Sequence, residues 1–373
     1  MIVAPTLILV VNAGSSSLKL RLLGSDDALL ASTDLSPDGA LAAVLADWAD
    51  RFGAVDAVGH RVVHGGSRYV RPVLVDDAVT AALHDLTPLA PLHQPASLAG
   101  LAAVSAVLPD VPAVACFDTT FHADMPAAAA TYAVPADWRE RFGVRRFGFQ
   151  GLSHAYAARR VAELSARSPT GLRVVTCHLG SGASLAAVQD GRSVDTTMGF
   201  TPLEGLVMAT RSGNLDPGLV LWLQTSAGLT AAAVTEALEY HSGLRGLAGD
   251  ADLRHVLAAA EAGEPRAQLA IEVYLHRLRA LVAAMVAALG GLDALVFTGG
   301  VGEHAPQVRA GAADGLGFLG VQVDAAANLA VNSAARPDTE ISAAGAPVHT
   351  FVVEAREDLE IAMGVRQALR GLS

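Results

Sequence analysis

Basic residues, aromatics, cysteines and long unbroken apolar runs are all scarce in this 373-residue chain, and each shortage closes off a class of function. Lysine and arginine number 26 against 37 acidic residues, a net charge of −11. Nucleic-acid partners need the opposite excess to neutralise phosphates, so none is expected. An acidic chain that binds an anionic ligand must concentrate its positive charge locally, which directs attention to every arginine in a polar, glycine-rich loop. The two cysteines, Cys116 and Cys177, sit inside apolar runs and belong to no metal-ligand spacing such as CxxC; reduced core residues are expected. Aromatics make up 5% of a chain that is 52% hydrophobic, so the core is aliphatic, built from alanine, leucine and valine. The longest apolar stretch, Leu281 to Phe297, is broken by Gly290, Gly291 and Asp293 and preceded by Arg279. That is too short for the roughly 20 residues of a spanning helix, so it reads as a buried helix and strand with no membrane partner. No basic residue precedes Lys19, so the charged region of a signal peptide is missing and a cytoplasmic location is expected. No Walker A pattern occurs, and the lone GG and GxG pairs complete no dinucleotide fingerprint.

What the chain does have is a repeated unit. From Leu7, LILVVNAGSSSLKLRLL reads as a strand, a small-residue turn and a second strand in which leucines alternate with Lys19 and Arg21. From Arg173, RVVTCHLGSGASLAAVQDGRS repeats the pattern. The same hairpin near positions 10 and 180 predicts two related halves, each a mixed sheet with helices around it, which suits a length too great for one core. Helical spacing marks Leu41 to Trp48, Pro95 to Val107, Ala155 to Ala166 and Gln268 to Leu289. In LDALVFTGGVGEHAPQVR a strand meets glycines 299, 300 and 302 and then a helix, a place for a nucleotide or equally a tight structural turn. A polar passage from about Ala326 to Val348 leads to a last strand, HTFVVEA, and a last helix from about Arg356.

Five segments carry polar residues that core packing does not explain. Asn12 to Ser17 with Lys19 offers hydroxyls, backbone N–H groups and a point charge to phosphates, or is an ordinary hairpin turn. In GHRVVHGG, Arg61 lies within an apolar strand and must have an anionic partner, either a structural carboxylate or a substrate carboxylate. Asp118 ends the apolar strand ACFD, where α/β sheets place functional groups, or caps the next turn. His178, at a hairpin tip, and Arg211, among Thr, Ser, Gly and Asn, have little packing value. Glu357 and Asp358 open the last helix, where they are also favourable first-turn charges.

Read in order, VNAGSSSLK, GHRVVHGG, FDTTFHADMP, FGFQGLSH, CHLGSGAS, DTTMGFTPLEGL, TRSGNLDPG, FTGGVGE and EDLEIA resemble the motif series of the acetate kinase family, from about residue 7 to 364. The resemblance implies an α/β fold of two duplicated ribonuclease H-like, actin-like ATPase domains with mixed sheets and a central nucleotide cleft. Residues 1–148 would form the first domain, completed by the helix 356–373, and 149–355 the second, which carries the nucleotide site. Carried over residue by residue, Asn12 and Glu357 match the positions associated with Mg2+ or Mn2+, and Lys19, Ser15 and Ser17 the phosphate-contacting hairpin. Arg61 matches the arginine that holds the substrate carboxylate, and Asp118 the catalytic aspartate. His178 and Arg211 match the pair that stabilises the phosphoryl group in flight. Gly180, Ser181, Gly182, Asp252, Arg254, Gly300, Val301, Gly302, Glu303 and His304 match the ATP side. Val63, Leu92, Phe149 and Pro202 match the pocket for the acyl tail.

The implied reaction moves a phosphoryl group reversibly between ATP and a short-chain carboxylate, giving an acyl phosphate and ADP. Acetate is the first candidate, with propionate and butyrate as alternatives. A homodimer is implied as well. Three positions depart from the family pattern: Gln150 stands where a histidine near the transferred phosphoryl is expected, and Ser181 and His304 each replace an asparagine. Gln150 donates a neutral hydrogen bond but carries no charge, which leaves a second reading, a weakly active nucleotide-binding sensor of the same fold.

Overall fold

The structure, a computed structural model, describes residues 7–13, 18–36, 40–91, 93–331 and 338–370. The chain divides into two compact units. Unit 1 comprises 1–123, 149–156 and 356–373, and unit 2 comprises 124–148 and 157–355. The sequence predicts one domain from 1–148 completed by 356–373 and a second from 149–355. Residues 124–148 instead cluster with unit 2, where Phe147 and Gly148 N–H both donate to Gly199 O, and 149–156 cluster with unit 1.

Unit 1 holds six strands: β1 (Ile8–Ala13), β2 (Leu18–Leu23), β3 (Leu29–Leu35), β4 (Ala57–Val62), β5 (Val73–Leu74) and β6 (Ala113–Phe117), in sheet order β3-β2-β1-β4-β6-β5. The first three form an antiparallel meander, β1, β4 and β6 run parallel, and β5 pairs antiparallel with β6. Parallel strands are covered on both faces, which is why β1 is an unbroken apolar run from Ile8 to Val11 rather than an alternating one. Ile8 and Val10 pack with Ile361 and Val365 of the helix Glu357–Arg370. Leu9 and Val11 pack on the other face with Leu45, Trp48 and Val104 of the helices Leu41–Phe52 and Gln94–Val107. The C-terminal helix therefore completes the first sheet. A glycine in β4 admits it: a Cβ on Gly59 would collide with Ile361 and come within 2.8 Å of Val365.

Unit 2 repeats the plan with β7 (Arg173–Leu179), β8 (Ala183–Gln189), β9 (Arg192–Thr196), β10 (Ala294–Thr298), β11 (Thr339–Glu340) and β12 (His349–Val352), in the order β11-β12-β10-β7-β8-β9. Again a three-strand meander leads to three parallel strands, β7, β10 and β12, and a short antiparallel edge strand precedes the last of them in the chain. The correspondence reaches single hydrogen bonds. Asp118 N–H, just past β6, bonds Val62 O at 3.1 Å, and Val353 N–H, just past β12, bonds Phe297 O at 2.9 Å. The helix Pro265–Leu289 packs against the meander strands. Glu264 caps its first N–H groups, Pro265 occupies its first position and Gly290 ends it at φ +65°. Among the described residues no helix is long and apolar enough to cross a membrane.

Candidate active site

Parallel strands bring their C-terminal ends to one edge of a sheet, and in unit 1 that edge is where the unexplained polar residues meet. Asn12 lies near the end of β1, Arg61 near the end of β4 and Asp118 directly after β6, while Glu357 opens the helix packed on the same sheet. Arg61 grips the Asp118 carboxylate with both arms, Nε to Oδ1 at 2.9 Å and Nη2 to Oδ2 at 2.5 Å. Its Nη1 donates to Asn12 Oδ1 at 3.2 Å, and Asn12 Nδ2 donates to Glu357 Oε2 at 3.1 Å. Glu357 also lies 3.8 Å from Arg61 Nε. Burial works against the Arg61 charge, but Asp118 and Glu357 outweigh it and hold the guanidinium above its ordinary range.

Of the two readings of Arg61, the structural carboxylate is the one the contacts show. Its structural carboxylate is Asp118, and this pairing engages three of the five N–H donors of a guanidinium, counting the bond to Asn12. Among the described residues, one donor remains on each terminal nitrogen. With 21% of its side chain exposed, Arg61 can present that edge to a second carboxylate as a bidentate fork. Asp118, at 1% exposure, orients the arginine. Lys19 stands opposite Asn12 in the β1–β2 register and so shares its face of the sheet.

Beside this cluster, Val63 and Phe149 are both buried. Phe149 meets the His64 ring edge-on at 5.4 Å, and burial pushes His64 down to about 4, so the ring is neutral at pH 7. Gln150 follows in the left-handed region at φ +57°, where a residue other than glycine is uncommon. His122 Nε2 lies 3.2 Å from Phe149 O and fastens the backbone just before it. Ser15, Ser17 and Leu92 lie outside the described residues.

Unit 2 assembles a second cluster. His178, next to last in β7, pairs in register with Ser184 and Thr298. Its ring lies against the glycine turn after β10: a Cβ on Gly299, at φ +77°, would come 2.8 Å from Leu179 O and 3.1 Å from His178 Nε2. Only glycine lets the two turns approach so closely. The Gly180–Gly182 turn joins the Arg211 loop through Ala209 N–H to Ser181 O at 3.1 Å. Arg211 is buried although its neighbours are small and polar, with Nη1 donating to Pro202 O at 2.7 Å. Burial lowers its pKa and Glu239, itself pushed up by burial, offsets part of that.

The remaining nucleotide candidates are placed differently. Gly300 to His304 form a short helix after β10 whose carbonyls at Gly302 and Glu303 each accept from Arg309 Nη1 at 2.8 Å. The Glu303 carboxylate accepts from Ala355 N–H at 3.1 Å, so it anchors backbone. Asp252 caps the helix Leu253–Glu261 and pairs with the exposed Arg254. These two connect to the Arg211 loop through the preceding helix Gly243–Ala248, where Leu244 and Arg245 donate to Met208 O and Ala209 O. Sequence reasoning did not single out Arg309. It is wholly buried among carbonyls with Asn328 Oδ1 at 2.6 Å, and nothing in VRAG announces burial. Tyr132, Arg146 and Glu204 were also missed, although Glu204 stands inside the motif TPLEGL.

Among the described residues no group of three or more His, Cys, Asp or Glu side chains gathers as a metal cage. Glu357, partly exposed at 17%, with Asn12 beside it, is an oxygen donor set with one carboxylate. That suits a Mg2+ ion that keeps waters and arrives with phosphates rather than one held by protein alone.

The Acetokinase family matches residues 38–363, most of the chain. This chain belongs to that family. Among curated relatives it is similar to the acetate kinase of Leifsonia xyli subsp. xyli, 45% identical over a gapped alignment of 398 positions that covers 98% of this chain and 99% of the relative. The acetate kinase of Synechococcus sp. (strain JA-2-3B'a(2-13)) is 49% identical over 318 residues, 85% of this chain and 77% of the relative. The solved acetate kinase of Porphyromonas gingivalis superposes with a TM-score of 0.88 at 36% identity, covering 98% of this chain and all of that one. A propionate kinase from Francisella tularensis subsp. tularensis gives 0.88 at 34%, covering 97% and 99%. The duplicated actin-like ATPase fold expected from the motifs is the fold observed. An acetokinase-family chain is a kinase, an enzyme that transfers phosphate.

Proposed function

We propose that this acetokinase-family chain transfers the γ-phosphoryl group of ATP to acetate, giving acetyl phosphate and ADP by direct in-line attack. The observation that carries the reading is the Arg61 fork, locked by Asp118 and Asn12 with, among the described residues, one donor left on each terminal nitrogen. A carboxylate of pKa near 4–5 is ionised at pH 7, so the nucleophile needs alignment and no general base. Asp118, paired with Arg61 through both carboxylate oxygens, orients that fork and abstracts no proton. On the phosphoryl side, Arg211 and His178 neutralise charge on the equatorial oxygens as the bond to ADP breaks. Lys19 and the turns at 180–182 and 300–304 belong to ATP in this reading. Glu357 with Asn12 would hold Mg2+, which would supply further charge neutralisation at the phosphates. Gln150 adds a neutral hydrogen-bond donor where the family pattern has a histidine.

The acyl tail is assigned to Val63, Phe149, Pro202 and Leu92. A methylene is worth only about 1–3 kcal/mol of discrimination, and the similarity to a propionate kinase makes propionate the second acid to test. Trapping the acyl phosphate as a hydroxamate with ATP, Mg2+ and acetate, propionate or butyrate is the direct experiment. Acetate is expected to have the highest kcat/KM; no product from any of the three refutes the reading and leaves a nucleotide-binding sensor.

We also propose a homodimer, with the cytoplasm as its location. The helix Pro217–Thr225 buries none of its residues within this chain, and Leu219, Leu221 and Trp222 stand exposed on it. Large apolar side chains exposed on a helix that the chain leaves uncovered suit an association face. Light scattering on Trp222→Asp should report half the mass of the unsubstituted chain; equal masses remove this helix from the interface.

A further inference from the structure

The loop that carries Pro202 and Arg211 leaves β9 at Thr196 and closes on itself where Gly205 N–H donates to Asn214 Oδ1 at 2.8 Å and Asn214 N–H returns to Gly205 O at 2.9 Å. What holds its near side is a cluster from 124–148 that the phosphoryl chemistry does not use. Glu204 accepts a hydrogen bond from the Tyr132 hydroxyl on one carboxylate oxygen and from Arg146 Nη2, at 2.6 Å, on the other. The Tyr132 oxygen in turn accepts from Phe200 N–H at 3.0 Å. Arg146 Nη1 donates to Thr197 O at 3.1 Å and Met198 O at 3.2 Å, and its guanidinium lies over the Tyr132 ring, 5.4 Å from the centroid. Inside this ring sits Gly199, where a Cβ would collide with both Glu204 and the Tyr132 oxygen. Two side chains, Arg146 and Tyr132, thus pin Thr197, Met198 and Phe200, the backbone N–H groups of Phe147 and Gly148 hold Gly199 O, and Glu204 ties the far end of the same turn to them.

We infer that Glu204, braced by Tyr132 and Arg146, is a positioning residue that sets Arg211 through the carbonyl of Pro202. Glu204 lies two residues beyond Pro202, and Pro202 O is the acceptor that fixes Arg211 Nη1 at 2.7 Å. A shift of the Glu204 carboxylate therefore moves both that acceptor and the proline ring. The inference rests on the proposed roles of Arg211 in phosphoryl transfer and Pro202 beside the acyl tail, and goes beyond them in naming what places both. Burial first, and then the bond to Glu204, push the Tyr132 hydroxyl well above its ordinary value, so it stays a donor at any pH of assay. The brace is polar and directional where an apolar contact would have been enough to cover the loop. Directionality is what a misplacement-sensitive group requires, since a displacement of about 1 Å costs about 10²-fold in rate.

The test compares Glu204→Gln, Glu204→Ala and Tyr132→Phe with the unsubstituted full chain. Steady-state hydroxamate assays on acetate and butyrate would be run with melting curves alongside. Glu204→Gln keeps an acceptor for Tyr132 and the side-chain shape while losing the charge that Arg146 grips, so it folds and lowers kcat about tenfold. Glu204→Ala lowers kcat about 100-fold. In both, KM for ATP is expected to stay within about threefold, and the ratio of kcat/KM for butyrate to that for acetate to change by at least about fivefold as Pro202 shifts. Tyr132→Phe should fall between Glu204→Gln and the unsubstituted chain. Variants that melt lower but keep kcat and the acid ratio would overturn the inference and leave the cluster a structural brace. An unsubstituted chain that phosphorylates no acid would instead overturn the proposed function, and this inference with it.

Discussion

Arg211→Lys is expected to lower kcat by about 10³-fold while KM for ATP changes less than about fivefold. The charge is retained, so the expectation depends on shape. Arg211 uses one terminal nitrogen to hold Pro202 O at 2.7 Å, and its planar fork leaves the other nitrogens aimed in a fixed direction. A lysine ammonium offers its donors from one point, so it does not reproduce the separated nitrogens by which arginine holds that carbonyl and faces a phosphoryl oxygen. Stabilisation of charge that develops in the transition state is worth about 10²–10³ per donor, and arginines at phosphoryl groups about 10³–10⁵. Ground-state affinity should change little, because the turns at 180–182 and 300–304 and Lys19 remain. Steady-state kinetics with ATP titrated by calorimetry measures both quantities. Turnover within about tenfold of the unsubstituted chain would remove Arg211 from the transition state.

Asp118→Asn should cut kcat about 10²- to 10³-fold and raise KM for acetate only severalfold. The amide keeps one oxygen for Arg61, but its NH2 group faces a guanidinium N–H where Oδ2 now lies 2.5 Å away. Two donors cannot share that contact, so the fork rotates away from the line of attack. Arg61 stays charged and still attracts a carboxylate, which limits the loss of affinity. Near-normal turnover with the hydroxamate readout would contradict this account of Asp118. A large rise in KM with kcat unchanged would mean that the pair serves binding alone.

Much of the fold was legible because its strands are short and strongly patterned. The apolar run Ile8–Val11 is the mark of a strand covered on both faces, and the repeat of that run before a Gly/Ser turn announced the duplication. The third strand of each meander was not legible. β3 alternates exposed and half-buried residues in LLASTDL, and β9 is the short polar RSVDT; neither carries the apolar signal. The membership of 124–148 in unit 2 was equally hidden, since it rests on bonds such as Arg146 to Glu204 between residues 58 apart.

The candidate site divides the same way. That Arg61 needs an anion follows from a charge inside an apolar strand, and that Asp118 stands at a strand end follows from ACFD. Which carboxylate meets which arginine did not follow, because Asp118 is 57 residues from Arg61 and Glu357 is 345 from Asn12. Only the register of β1, β4 and β6 and the docking of the last helix bring them within hydrogen-bond distance. Scarcity of basic charge, the missing phosphate-loop pattern, the duplicated hairpin and nine ordered motifs were determined by the amino-acid sequence alone, since each depends on residue type and local spacing. The Arg61–Asp118 fork, the burial of Arg211 and the Glu204 brace were decided by the tertiary structure, because a hydrogen bond depends on distances of tenths of an ångström between segments whose separation along the chain says nothing about their separation in space.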